Sequence, residues 1–357
     1  MKRFVALFLA LIMCFALVGC GSKTNTAPAS SSDTASTQTA EPTVLRLALV
    51  NTPGTPIYEA TEWFANRVSE LSEGQLIIEL YGGGQLGDYI ATFSEMVNGT
   101  IDMCWDSVVC EYDRSLELMA APYLVSNWAQ VKAAYNTESW LGKYCAERYL
   151  KLGVRVLGYT PGGFFGVAGN SVGNVDTLFD LDVKQDALCR VPPMDISIKT
   201  MEALNFNTTT INYSDLYTAL QTGVADCWMG GSVSTNYENF RDVIKYYVAY
   251  NYMNEIYPLS ISEQIWQTLS PEFQEILVQA GKEATDNAYE IQYNCYYDYF
   301  DKLKGAGITV IEPSDEEVNA IADRVREYTW PALKPVCGAE VLDELYAFAE
   351  DMKAITG

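Results

Sequence analysis

One structural unit is written twice in this chain. Glu95-Met96-Val97-Asn98-Gly99-Thr100-Ile101-Asp102-Met103-Cys104-Trp105 and Leu220-Gln221-Thr222-Gly223-Val224-Ala225-Asp226-Cys227-Trp228 run in the same order. Each has the end of a helix, a glycine stop, a short strand with an Asp three residues after the glycine, and a Trp near the strand's end. The copies lie about 124 residues apart, too long a period for a stacked solenoid. The spacing predicts two similar lobes that face one another. Open α/β sheets take ligands beyond the carboxyl ends of their strands, so Trp105 and Trp228 are expected to project toward a shared cleft. Each Trp taken alone reads as a core residue.

The rest of the chain has the alternation such lobes need. β-Branched apolar runs at 44–50, 76–81, 101–105, 154–159, 187–191, 208–211, 224–229, 246–250 and 308–311 read as strands. Helical periodicity separates them. Thr55-Pro56 supplies an N-cap and a proline at the first helical position, ahead of Ile57, Thr61, Phe64, Val68 and Leu71 on one face. Two more helices are expected to open at the caps Asp88 and Ser214 and to stop at Gly99 and Gly223. The fold class is α/β.

Residues 1–20 read as a lipoprotein signal peptide: Lys2 and Arg3, an apolar run from Phe4 to Val18, then Gly19-Cys20. That run falls short of the ~20 residues a membrane-spanning helix needs. Cys20 is therefore expected to carry lipid and to anchor the protein on the outer side of the cell membrane, facing the cell surface or periplasm. Residues 21–43, rich in Ser, Thr and Ala, read as a flexible tether.

Composition excludes several classes. The formal net charge is −23, and losing Lys2 and Arg3 takes it to −25, which disfavours a nucleic-acid partner. The chain contains no His, which removes the usual general base and the commonest zinc ligand. No Gly-rich phosphate loop or EF-hand loop occurs, and neither cofactor nor metal is expected. Seven of the nine Cys remain beyond Cys14 and Cys20, with no Cys-x-x-Cys pair. Most read as small buried hydrophobes, although Cys104 and Cys110 are close enough in sequence to leave a disulfide open.

Several segments resemble the DctP-type solute-binding proteins of TRAP transporters. They are Leu45-Arg46-Leu47-Ala48, Gly84-Gln85-Leu86-Gly87, Val97 to Met103, Cys189-Arg190-Val191-Pro192, Asp215 to Asp226, and Trp266-Gln267-Thr268-Leu269-Ser270-Pro271-Glu272. The resemblance covers 44–357 and implies a two-lobed periplasmic-binding-protein-like fold with a hinge and a long lobe-spanning helix. Lobe 1 would comprise 44–160, with 245–270 returning to it. Lobe 2 would comprise 161–244, and 271–357 would form the long helix and a helical part packing mainly on lobe 2. The implied protein is a monomer that captures a small organic acid and delivers it to TRAP membrane subunits, without catalysis.

The family's signature arginine falls on Arg190, which would receive a carboxylate. A guanidinium presents parallel donors that match a carboxylate and does not deprotonate. The bland alternative is a structural ion pair with a neighbouring acid. Where many members carry polar contacts after the second glycine, this chain has Trp228 and Met229, and a second arginine of some members would fall near Phe164 and Phe165. These departures imply a ligand with one carboxylate and an apolar or aromatic body. Asn51, Thr52, Tyr217 and Asn236 are further candidate contacts, weighed against roles as caps or core. Competing readings are a binding lipoprotein for an ABC importer or sensor, and a surface hydrolase using Asp102 and Asp226.

Overall fold

The computed structural model describes residues 41–356. The expected signal peptide, the expected lipidation site Cys20 and the expected tether residues 21–40 lie outside the described residues. Residues 41–43 belong to the body, since the first strand begins at Thr43, inside the segment expected to be tether.

Ten strands lie among the described residues: β1 Thr43–Ala48, β2 Leu76–Tyr81, β3 Met103–Trp105, β4 Val154–Gly169, β5 Leu188–Val191, β6 Asn207–Thr210, β7 Cys227–Ser232, β8 Tyr246–Val248, β9 Asn254–Ser262 and β10 Thr309–Ile311. They connect in the order β2-β1-β3-β9-β4-β7-β5-β6, with β8 pairing β4 and β10. In one lobe β1 is parallel to β2 and β3, and in the other β5 is parallel to β6 and β7. The 16-residue β4 joins the two. Its first part pairs antiparallel with β9, and its last residues pair with β7 and β8. The β4–β9 ladder shifts register between Val156 and Gly158 and again between Pro161 and Phe164. Such irregularities bend a strand and increase its twist, which lets one strand serve two sheets.

Two details of the expected domain plan change. β8 (246–248) stays with the second lobe's sheet, so the return to the first begins only at β9. β9 itself has no counterpart among the expected strands. Its interior is buried on both faces, which erases alternation, and it carries Pro258, normally a sign against a central strand.

The helices follow their local signals closely. α1 (Pro56–Leu71) begins where the Thr55 hydroxyl accepts from the Tyr58 amide, and it buries Ile57, Ala60, Thr61, Phe64 and Val68. Each large apolar side chain so buried contributes about 1.5–3 kcal/mol. α2 (Tyr89–Val97) is capped by Asp88 as expected. After α3 (Trp128–Ala134), α4 (Trp140–Lys151) and α5 (Asp195–Ala203) comes α6 (Tyr213–Thr222). Its N-cap is Asn212, so Ser214 lies inside the first turn rather than ahead of it. Gly223 closes α6 in the left-handed conformation at φ 75°.

α7 (Pro271–Gly305) is the expected long helix, 35 residues and therefore roughly 50 Å at 1.5 Å per residue. It lies across α1 and β4. The closest approach is made by two glycines: a Cβ on Gly158 would collide with the Gly281 carbonyl, and one on Gly281 with the Leu157 carbonyl. Thr285 completes the dock, its hydroxyl accepting from the Tyr159 amide at 3.0 Å and donating to the Gly281 carbonyl at 2.9 Å. The C-terminal helices divide between the lobes instead of staying mainly on the second. α8 (Asp315–Thr329) packs on α5, whereas α9 (Ala339–Lys353) packs on α3.

Candidate functional site

The repeated unit has a structural purpose in both lobes. Asp102 accepts from the Arg46 amide at 2.8 Å and from the Arg46 Nε at 3.1 Å, tying β3 to β1. Asp226 accepts from the Leu188 amide at 2.8 Å, tying β7 to β5. Neither carboxylate lines the cavity between the lobes, so the pair expected of a hydrolase has no shared site.

The two tryptophans part company. Trp228 lines the cavity, packs at a tilt on Phe240 with ring centroids 4.8 Å apart and donates its indole N–H to Asn236 at 3.1 Å. Trp105 is fully buried in the first lobe's core, edge-on to Phe64, and donates to the Tyr257 carbonyl at 3.0 Å. This corrects the expectation that both project toward the cleft. Strand parity explains it: Trp105 lies three residues beyond its Asp and Trp228 only two, so they leave their strands on opposite faces.

The cavity has a volume of about 110 Å³. At ~10–15 Å³ per water-sized group, that is room for roughly seven to eleven such groups, the size of a small metabolite. Arg190 enters it from β5, where it is the register partner of Trp228 on β7. It is 3 % exposed, and its Nε donates to the Ile211 carbonyl at 2.7 Å. That is its one hydrogen bond among the described residues, so the guanidinium plane is held while the two terminal nitrogens stay free. Among the described residues no carboxylate bonds to it, which speaks against a structural ion pair. Burial pulls the Arg190 pKa down, with Tyr89 and Tyr213 opposing.

Other expected contacts fall into three groups. Asn51, Phe165 and Met229 line the cavity with Arg190 and Trp228, and the Asn51 Nδ2 is buried without a partner. Asn236 is wholly buried behind Trp228 and bonds back to the Gly231 and Ser232 carbonyls, so it positions the indole from outside the cavity. Thr52 and Tyr217 do not reach the cavity. Thr52 is exposed and its carbonyl caps Thr55, and Tyr217 is exposed beside Phe240. Phe164 turns away to pack on Trp128 and Tyr296.

The sequence reading missed Tyr89, Ser107, Tyr213, Tyr252 and Glu255, all of which line the cavity. Glu255 sits at the start of β9 and accepts from the Tyr257 hydroxyl at 2.5 Å. Burial pushes its pKa up to about 7, while Tyr257, Ser107 and Arg190 pull it down. Nearby Asp106 is also raised well above the carboxylate range by burial; its bond from the Val50 amide opposes this, and Glu255 and Asp88 add to it. A single acid in an otherwise apolar run, Ile256-Tyr257-Pro258-Leu259, was the available signal for Glu255.

Among the described residues no group of three or more His, Cys, Asp or Glu could hold a metal ion, and no helix is long and apolar enough to cross a membrane. Cys104 and Cys110 are buried free thiols.

Residues 47–331 match the DctP family model, described as bacterial extracellular solute-binding protein, family 7. The chain belongs to this family. It is an extracytoplasmic solute-binding protein of the TRAP type. One relative of this DctP protein is the C4-dicarboxylate-binding protein DctB of Bacillus subtilis, 25 % identical over 314 residues, covering 86 % of this chain and 87 % of that one. The 2,3-diketo-L-gulonate-binding periplasmic protein YiaO of Escherichia coli is 24 % identical, covering 75 % and 81 %. A similar solved structure is the sugar acid binding protein DctPAm from Advenella mimigardefordensis in complex with galactonate, with TM-score 0.79, 21 % identity and coverage of 87 % and 99 %. A TRAP periplasmic solute-binding protein from Desulfovibrio salexigens with bound orotic acid has TM-score 0.78, 21 % identity and coverage of 87 % and 98 %. These structures share the two-lobed fold of this DctP protein.

Proposed function

We propose that this protein captures a small organic acid by its carboxylate on Arg190 and delivers it to the membrane subunits of a TRAP transporter, doing no chemistry on it. The observation that carries the reading is a buried guanidinium facing the cavity, hydrogen-bonded among the described residues through its Nε alone. Leaving such donors unpaired costs stability, and a carboxylate fits them bidentately. The relatives named above have carboxylates as their ligands, of several skeletons. In this chain the cavity walls are largely apolar and aromatic, with Phe165, Met229, Trp228 and Tyr213 among them. That favours one carboxylate on an apolar or aromatic body over a small dicarboxylate. A ligand touching both lobes favours the closed form in proportion to its extra contacts there.

Thermal shift of the purified protein across mono- and dicarboxylates, sugars and amino acids tests this. Stabilisation that grows with carboxylate concentration and disappears in Arg190→Gln supports the reading. Stabilisation by neutral sugars alone, or by carboxylates equally in the variant, would sink it. Lipid anchoring through Cys20 is part of the same proposal. The native protein should enter the detergent phase on Triton X-114 partition and the Cys20→Ser variant the aqueous phase; equal partition of the two would remove the anchor.

A further inference from the structure

The cavity is lined by two charged side chains, Arg190 and Glu255, of opposite sign. They come from different strands, β5 and β9, and do not pair with each other: Arg190 bonds to the Ile211 carbonyl and Glu255 to Tyr257. A cavity built only for a carboxylate has no use for an acid. An ionised Glu255 repels any anion that enters, and a carboxylate set in a cavity with no cation hydrogen-bonded to it costs stability even though Arg190 favours its ionisation through space.

We propose that the solute is a zwitterion, its carboxylate held by Arg190 and a positively charged nitrogen held by Glu255. This rests on the reading of Arg190 given above. Such a ligand gives each buried charge its partner, and neither a dicarboxylate nor a nitrogen-free acid does so. Three further features agree. The Tyr257 hydroxyl fixes the Glu255 carboxylate through Oε2, so it is oriented before any ligand arrives. Tyr89, Tyr213, Trp228 and Tyr252 supply aromatic faces around the same space, which attract cations. A volume of about 110 Å³ suits a molecule the size of an amino acid.

The test is isothermal titration of the full-length, detergent-solubilised protein with matched sets of acids. Each set has one carbon skeleton as the 2-amino, 2-hydroxy and 2-oxo acid, over aliphatic and aromatic skeletons, with N-methylated amino acids, succinate and malate added. At least one nitrogen-bearing acid should bind 30-fold or more tighter than its hydroxy and oxo counterparts. Glu255→Gln, which keeps shape and loses charge, should abolish that preference while still binding nitrogen-free acids, and Glu255→Asp should keep part of it. Tightest binding by nitrogen-free acids or dicarboxylates, binding by no nitrogen-bearing acid, or an unchanged preference in Glu255→Gln overturns the inference. Arg190→Gln separates the two readings. If it loses all acids while Glu255→Gln changes nothing, Arg190 stands as the carboxylate receptor and the zwitterion falls. If it binds acids as before, the carboxylate reading itself fails.

Discussion

Arg190 and Trp228 are register partners on adjacent parallel strands, so guanidinium and indole rise from one sheet face into the same cavity wall. The polar and apolar ends of the recognition surface are thus set by one backbone ladder, and each position can be tested against a control elsewhere in the fold.

Arg190→Gln should raise the Kd for a bound carboxylate at least about 30-fold, a loss of about 2 kcal/mol or more. Arg190→Lys keeps the charge without the fork and should fall in between. The ligand-free protein should respond in the other direction. Because burying an unpaired guanidinium is unfavourable, Arg190→Met should raise Tm by about 1–3 °C in calorimetry. A lower Tm would show that the cation is already well compensated.

The two tryptophans of the repeat should separate affinity from stability. Trp105→Phe removes the hydrogen bond to the Tyr257 carbonyl and leaves a core void. It should cost about 1–3 kcal/mol in urea unfolding and leave Kd unchanged. Trp228→Phe should weaken binding roughly fivefold or more, about 1 kcal/mol. Equal effects of the two on Kd would contradict the parity argument.

Gly281 should tolerate no side chain. Gly281→Ala drives a methyl into the Leu157 carbonyl and lifts α7 from β4, at about 1–3 kcal/mol by chemical denaturation. Gly305→Ala, at the free end of the same helix with open space around it, is the control and should be neutral or slightly stabilising.

The acid in the cavity gives stability a pH dependence of definite sign. The folded pKa of Glu255 is raised from 4.5 to about 7, so its contribution is fully present below pH 4.5 and is lost as pH rises through 7. Glu255→Gln does not titrate there. In urea unfolding its stability should therefore gain on that of the unaltered protein between pH 4 and pH 8, by on the order of 1–2 kcal/mol once discounted for a partly exposed side chain. Asp106, Arg190, Tyr257 and Tyr213 face the same carboxyl and are common to both proteins, so the difference isolates Glu255. A difference that shrinks with rising pH would reverse the assignment.

The α/β class, the caps at Thr55 and Asp88, the glycine stops, the long helix, the family and the strand that carries Arg190 were all legible in the amino-acid order, because each rests on residues close together in the chain. The fate of the repeated tryptophans was not: both copies match by eye, but a strand has two faces, and a one-residue offset sends one ring to the core and the other to the cavity. β9 was hidden because a strand buried on both faces loses its alternation, and Glu255 was hidden with it. Local propensity and motif settled which elements form, whereas long-range strand pairing decided which side chains meet. The cavity joins Asn51, Tyr89, Arg190, Trp228 and Glu255 from segments far apart in sequence, and their shared electrostatics exist only once β4 and β9 have carried the two lobes face to face.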